Sequence, residues 1–175
     1  KLAENFLVKN LMTPDAVKLV YSHFDRVIIG GVVPVNKTLT LPNHPELRAD
    51  YFLERREIGI INVGGTGTVT ADGKKFKVEQ LSCLYLGKGT KNVSFASASK
   101  KNPALFYLLS SPAHAEYPAN LFTKEQASPV ELGAPETANK RTVYKYIHLD
   151  GIRSCQLVMG LTTLSPGSVW NSIPP

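Results

Sequence analysis

Thr68-Val69-Thr70-Ala71-Asp72-Gly73-Lys74-Lys75-Phe76-Lys77-Val78 is the stretch from which the fold is read. Two runs that alternate β-formers with polar residues flank Asp72-Gly73. Both central positions of a type I′ turn need positive φ, which Asp tolerates and Gly adopts freely. The reading is a tight antiparallel hairpin, residues 67–71 against 74–78. Upstream, residues 51–62 read as one long strand that ends at a glycine corner, Gly64-Gly65-Thr66-Gly67. Downstream, the strand at 82–86 stops at Gly87-Lys88-Gly89.

Further short apolar runs at 26–33, 37–41, 92–96, 104–109, 143–149 and 154–164, separated by Gly, Pro, Asn and Asp, complete the pattern of an all-β sandwich or barrel. Helix is scarce. Thr13-Pro14-Asp15 places a capping hydroxyl and a first-turn proline before Ala16-Val17-Lys18-Leu19-Val20, and Thr123 with Gln126 makes a capping box for one turn. Residues 111–142 contain Pro112, Pro118, Pro129 and Pro135 without sustained periodicity, and read as an inter-domain connection ordered by packing.

A repeat organises the whole. Arg26-Val27-Ile28-Ile29-Gly30-Gly31-Val32-Val33-Pro34 is answered by Gln156-Leu157-Val158-Met159-Gly160-Leu161-Thr162-Thr163-Leu164, with Gly30 aligned on Gly160, 130 positions later. Each copy runs on to a Pro-containing turn, Leu41-Pro42 in one and Ile173-Pro174-Pro175 in the other. A self-similar shift of domain size reads as a duplicated domain. The expected division is a first barrel at 1–110, the connection at 111–142 and the opening strands of a second, truncated barrel at 143–175.

Composition excludes several classes of function. No run approaches the ~20 apolar residues of a membrane span, and Lys1-Leu2-Ala3-Glu4 starts no apolar signal core. A cytoplasmic soluble protein whose true ends are missing is expected, with no membrane partner. The formal charge is +6, but Lys74, Lys75, Lys77, Lys88, Lys91, Lys100 and Lys101 sit at hairpin ends without interleaved aromatics. That pattern argues against nucleic acid and is compatible with a small anionic substrate. Cys83 and Cys155 lie in apolar, strand-like settings and read as free buried thiols; they form no metal motif.

The glycine clusters at 64–67 and 87–89 lie between strands, not between a strand and a helix, so neither reads as a nucleotide loop. Their role is curvature and tight turning. The order of parts from residue 51 to 89 resembles the two-motif layout of the cupin superfamily, small jelly-roll barrels. Metal-binding cupins carry a His-x-His pair, a downstream Glu and a later His. The corresponding positions here are Tyr51 and Leu53, with the later one near Val93, so the resemblance implies a first barrel without its metal. His23, His44, His114 and His148 are widely separated, and none lies on a strand facing the expected barrel mouth. No metal residue and no catalytic residue is expected within the chain.

Tyr51-Phe52-Leu53-Glu54-Arg55-Arg56-Glu57 puts four consecutive charges on a strand that should enter a barrel. Period-two alternation places Tyr51, Leu53, Arg55 and Glu57 on one face and Phe52, Glu54 and Arg56 on the other. On that phase Arg55 and Glu57 point toward the mouth and are the candidate substrate-binding residues, because a guanidinium can grip a carboxylate bidentately. The competing reading is an ion-pair network at a domain or subunit interface, supporting structure more than chemistry.

Val20-Tyr21-Ser22-His23-Phe24-Asp25-Arg26, the 51–57 segment, Leu84 to Gly89, Pro112-Ala113-His114 with Tyr117-Pro118, and Gln156 to Leu161 together resemble the bacterial 5-keto-4-deoxyuronate isomerase family of two-cupin proteins. The resemblance implies a sugar-acid ketol-isomerase that interconverts 5-keto-4-deoxyuronate and 3-deoxy-D-glycero-2,5-hexodiulosonate in the breakdown of pectin and related uronates. It implies a zinc ion held in the second cupin by a His-x-His pair, a Glu and a later His, starting just after Pro175. None of those ligands is in this chain, so residues 1–175 alone are expected to bind no zinc and to be inactive. A homo-oligomer is also implied, with a hexamer as the size considered. The alternative is a non-enzymatic cupin that binds a small organic acid or serves in assembly.

Overall fold

A computed structural model describes residues 7–169. Thirteen strands run along them: β1 (Val17–Tyr21), β2 (Ile28–Val32), β3 (Leu39–Thr40), β4 (Arg56–Asn62), β5 (Gly67–Ala71), β6 (Lys74–Val78), β7 (Cys83–Leu86), β8 (Val93–Ser97), β9 (Phe106–Pro112), β10 (Asn120–Phe122), β11 (Val130–Leu132), β12 (Arg141–Ile147) and β13 (Met159–Leu164). Apart from 3-10 turns at Pro45–Leu47 and Pro135–Thr137, the described residues form no helix, and none that could cross a membrane.

The Asp72-Gly73 hairpin forms as expected. Ala71 sits opposite Lys74, and the two turn residues have φ of 45° and 84°. Asn62 ties the glycine corner to its surroundings. Its buried Nδ2 donates to the carbonyls of Gly65 and Val78, each at 2.8 Å, while Oδ1 accepts the N–H groups of Gly64 and Leu105, each at 3.1 Å.

Six strands in the order β1-β2-β9-β4-β7-β10 make one sheet, and four in the order β3-β8-β5-β6 make the other. All pairings are antiparallel, and the two sheets close over one another as a jelly roll. Ile58, Ile60, Leu84 and Phe106 of the larger sheet meet Val69 and Phe95 of the smaller in the barrel core. A third sheet, β11-β12-β13, covers the outer face of the larger one. There Ile61, Cys83 and Tyr85 pack against Tyr146, Ile147, Leu157 and Met159. Both faces of β4 are therefore covered, which explains why all of its residues are buried and why its apolar run does not alternate. Gly59 permits this approach, since a Cβ there would lie 2.5 Å from Met159 Sδ.

Three expectations need correction. Residues 16–20 are not helical; 17–21 form β1, an edge strand registered on β2 with Leu19 opposite Gly30. A single isolated helical turn is marginal, and pairing with β2 wins. Asp15 is a turn clamp and not part of a helix start, its carboxylate accepting the N–H groups of Val35 at 2.9 Å and Asn36 at 2.7 Å. The strand expected at 51–62 begins only at Arg56, because residues 51–55 turn, with the Glu54 N–H on the Tyr51 carbonyl at 3.1 Å. The proline-rich stretch is more structured than its sequence suggested: β10 within it extends the barrel sheet beside β7. Of the capping box at 123–126, only the contact from the Thr123 N–H to Gln126 Oε1 forms, at 2.9 Å, and it closes a turn.

Both copies of the repeat contain strands, β2 and β13. Each pairs antiparallel with a strand that precedes it, Gly30 lying opposite Leu19 and Gly160 opposite Lys145. The turn read at Ile173-Pro174-Pro175 and the start at Lys1-Leu2-Ala3-Glu4 lie outside the described residues.

Candidate functional site

The four charges before and at the start of β4 go to four different places. The Glu54 carboxylate accepts the Asp50 N–H at 2.8 Å. Arg55 precedes the strand, is exposed, and donates from Nη2 to the Arg48 carbonyl. Arg56 opens the strand on the same side as Ile58 and Ile60, at the mouth of the barrel, and is only 7% exposed. Its Nε donates to Ser110 Oγ at 3.1 Å, and its Nη2 donates to the carbonyls of Ser110 at 2.9 Å and Arg26 at 2.7 Å. Burial pulls its pKa below the ordinary arginine value; Tyr21 opposes that shift and the Arg26 charge adds to it. Glu57 points the other way, toward the third sheet.

Arg55 and Glu57 therefore do not share the mouth-facing side, as period-two alternation through residue 51 had placed them. The phase was carried across a turn, where it has no meaning; within β4 it is Arg56 that faces the mouth, and Arg55 reaches its rim from the preceding turn. Within the described part of the chain these charges do not form an ion-pair network. Among the described residues no salt bridge involves 54–57; backbone and hydroxyl groups hold these charges instead.

Two adjoining hollows form the mouth. One, of about 520 Å³, has apolar walls from Leu19, Ile28 and Leu47 and a polar rim of Tyr21, His23, His44 and Glu46. The other, of about 250 Å³, shares Tyr21, Glu46 and Leu47 with it and adds Arg26, Arg55 and Arg56. Neither His23 nor His44 is on a strand, yet loops bring both to this one rim. The residues present do not fit a metal ion. Leu53 and Val93, at two of the expected ligand positions, are packed in the barrel core, Tyr51 brings only a phenol, and no cluster of His, Cys, Asp or Glu suited to a metal occurs among the described residues.

On the opposite face, Glu57 is fully buried. Oε2 accepts the Tyr85 hydroxyl at 2.6 Å and the Cys155 N–H at 2.7 Å. Oε1 accepts the N–H groups of Gln156 at 2.7 Å and Leu157 at 2.6 Å, with Ser111 Oγ at 3.4 Å. Successive backbone N–H groups thus converge on one carboxylate, as in an anion-binding nest. Burial, and then the bond to Glu57, push the Tyr85 phenol upward. Both cysteines are free. Cys83 is buried, and burial pushes its thiol up to about 12. Cys155 is half-buried, less enclosed than expected, with Sγ 3.3 Å from His114 Nδ1. His148 lines a separate hollow that Cys155 also borders.

The profile of the KduI/IolB family matches residues 6–175. The chain belongs to the KduI/IolB family. It is 52% identical over 174 residues to the 4-deoxy-L-threo-5-hexosulose-uronate ketol-isomerase of Lachnoclostridium phytofermentans and 49% identical over 174 residues to that of Halalkalibacterium halodurans. An Escherichia coli protein of the same name is 46% identical over 175 residues. In each case the match covers 99% of this chain and 63% of the relative, so the chain spans 63% of the length of these curated relatives. Among solved structures, an IolB-like protein from Salmonella typhimurium superposes with a TM-score of 0.57 at 16% identity, over 76% of this chain and 50% of that one. That likeness supports the jelly-roll fold.

The mouth of this barrel carries three guanidinium groups, those of Arg26, Arg55 and Arg56. Sequence reasoning missed Arg56, Arg26, His23 and His44 as its lining. One signal was available: Arg56 is the last charge before an uninterrupted apolar strand on its own face, the position where a side chain sits at the rim of a core.

Proposed function

We propose that the protein to which this chain belongs is a sugar-acid ketol-isomerase interconverting 5-keto-4-deoxyuronate and 3-deoxy-D-glycero-2,5-hexodiulosonate in uronate and pectin catabolism. The observation that carries the reading is identity near one half, across 99% of the chain, to relatives named for that activity. The substrate is a small anionic sugar acid, and the reaction moves a proton between neighbouring carbons. The site of chemistry and its zinc are assigned to a second barrel completed by residues outside 1–175. The first barrel is its scaffold, a role supported by the apolar packing of Leu53 and Val93 and by the grip of Glu57 on residues 155–157, just ahead of β13. Glu57 then acts on substrate only through the loop it holds, whereas Arg55 on the exposed rim is free to meet a ligand. The enzyme is assigned to the cytoplasm as a homo-oligomer, with a hexamer as the size to test.

The test is direct. Full-length protein, incubated with 5-keto-4-deoxyuronate and followed by NMR, is expected to form the 2,5-diulosonate and to carry about one zinc per subunit by elemental analysis. Folded, zinc-replete protein that binds the acid without turnover overturns the isomerase reading and establishes the alternative of a non-enzymatic acid-binding cupin.

A further inference from the structure

We propose that the mouth of the first barrel is an oxyanion-binding site built around Arg56, which takes a small carboxylate or phosphate carried on a compact hydroxylated body. This inference stands on the geometry of the first barrel and does not depend on the isomerase reading.

Arg56 is a guanidinium 7% exposed with no carboxylate partner among the described residues. Its Nε and Nη2 are committed to Ser110 and to the Arg26 carbonyl. Nη1 has no acceptor among the described residues. Among the described residues no buried side-chain nitrogen or oxygen lacks a partner, so Nη1 is not sealed inside the protein; it opens onto the hollow that Arg56 lines. A charge this far out of water is destabilising without a counter-charge. The surroundings increase the demand, since Arg26 and Arg55 line the same hollow and Glu46 is the one carboxylate among its described lining residues.

The shape agrees with a small ligand. The adjoining space of about 520 Å³ lies within the roughly 300–1,000 Å³ of small-molecule sites, and it has the usual make-up, apolar walls with a few polar groups on the rim. Ser110 holds the Arg56 side chain in place before any ligand arrives, so little ordering is required on binding. With Nη2 saturated, an oxyanion meets Arg56 end-on through Nη1. Arg55, whose one hydrogen bond is to the Arg48 carbonyl, supplies the second cation from the rim. His23, His44 and Tyr21 face the hydroxylated body.

The experiment is calorimetric titration of the full-length protein at low ionic strength with D-galacturonate, with inorganic phosphate and with uncharged D-galactose. Wild type, Arg56→Gln and Arg55→Met are compared, each checked for a cooperative melting transition. Expected is saturable binding of at least one anion and none of galactose. Arg56→Gln should weaken it about tenfold or more and Arg55→Met by about three- to tenfold. Galacturonate binding without phosphate binding identifies a carboxylate site, and the converse a phosphate site. Absence of saturable anion binding overturns the proposal, as does an affinity that neither variant changes. If Arg56→Gln fails to fold, the Arg55→Met result decides. Loss of isomerase turnover with this binding intact would leave the inference standing and remove the functional reading above.

Discussion

Arg56 and Glu57 are neighbours in sequence with opposite charges, and the fold treats them in opposite ways. Arg56 enters the barrel side of β4, uses two of its three nitrogens on the protein and leaves the third facing a hollow. Glu57 enters the side covered by the third sheet, where hydroxyl and backbone donors surround both of its oxygens. A strand sends successive side chains to opposite faces, so the two charges cannot pair however close they are in the chain. The comparison shows that a buried charge whose donors or acceptors are all met holds structure together. One left partly unmet at a cavity marks a place for a ligand.

The largest expected effect is on the outward side. Glu57→Ala removes the acceptor for the Tyr85 hydroxyl and for three backbone N–H groups, leaving them unpaired in a buried or partly buried layer, and should cost about 3–5 kcal/mol in urea unfolding. Amide exchange in β12 and β13 should rise before that in β5 and β6. Uniform loosening of the whole chain would show that Glu57 is not specific to the contact between sheets.

Alkaline pH probes the same layer. Cys83, Tyr85 and Tyr146 all have pKa values raised by burial, that of Cys83 from 9.0 to about 12. Above about pH 9 the unfolded chain releases protons that the folded one retains, so stability is fully present below that pH and falls between 9 and 12. The loss by pH 10 should be about 1–2 kcal/mol from Cys83 alone, read as a falling melting temperature that Cys83→Ala flattens. A melting temperature level from pH 8 to 11 would contradict the dry environment assigned to this layer.

The inward side should be the mildest. Arg56→Met keeps the stem against the barrel wall while it removes an uncompensated charge together with three hydrogen bonds; relief of the desolvated charge offsets the lost bonds, and the net change in stability is expected to be about 1 kcal/mol or less. A penalty as large as that of Glu57→Ala would erase the contrast between the two faces and recast Arg56 as a structural clamp.

Much of the barrel was legible because its signals are local. Asp72-Gly73 sets its own turn, and β5 and β6 match their expected bounds. The two similar apolar runs were legible as strands, and both form them, as β2 and β13. Residues 16–20 were illegible because five residues with a capping pattern suit a turn of helix and an edge strand equally, until β2 is beside them. His23 and His44 were read as unrelated because loops, not periodicity, carry them to one rim.

By itself the sequence determined the all-β class, the Asp72-Gly73 turn and the family, since each rests on backbone preference or on residue identity along the chain. Only the tertiary structure decided where β4 starts, and with that which of two adjacent charges faces the mouth. The reason is physical. A strand begins where its ladder partner does, and Arg56 is set opposite Pro112 at the end of β9, a contact that local pattern does not encode.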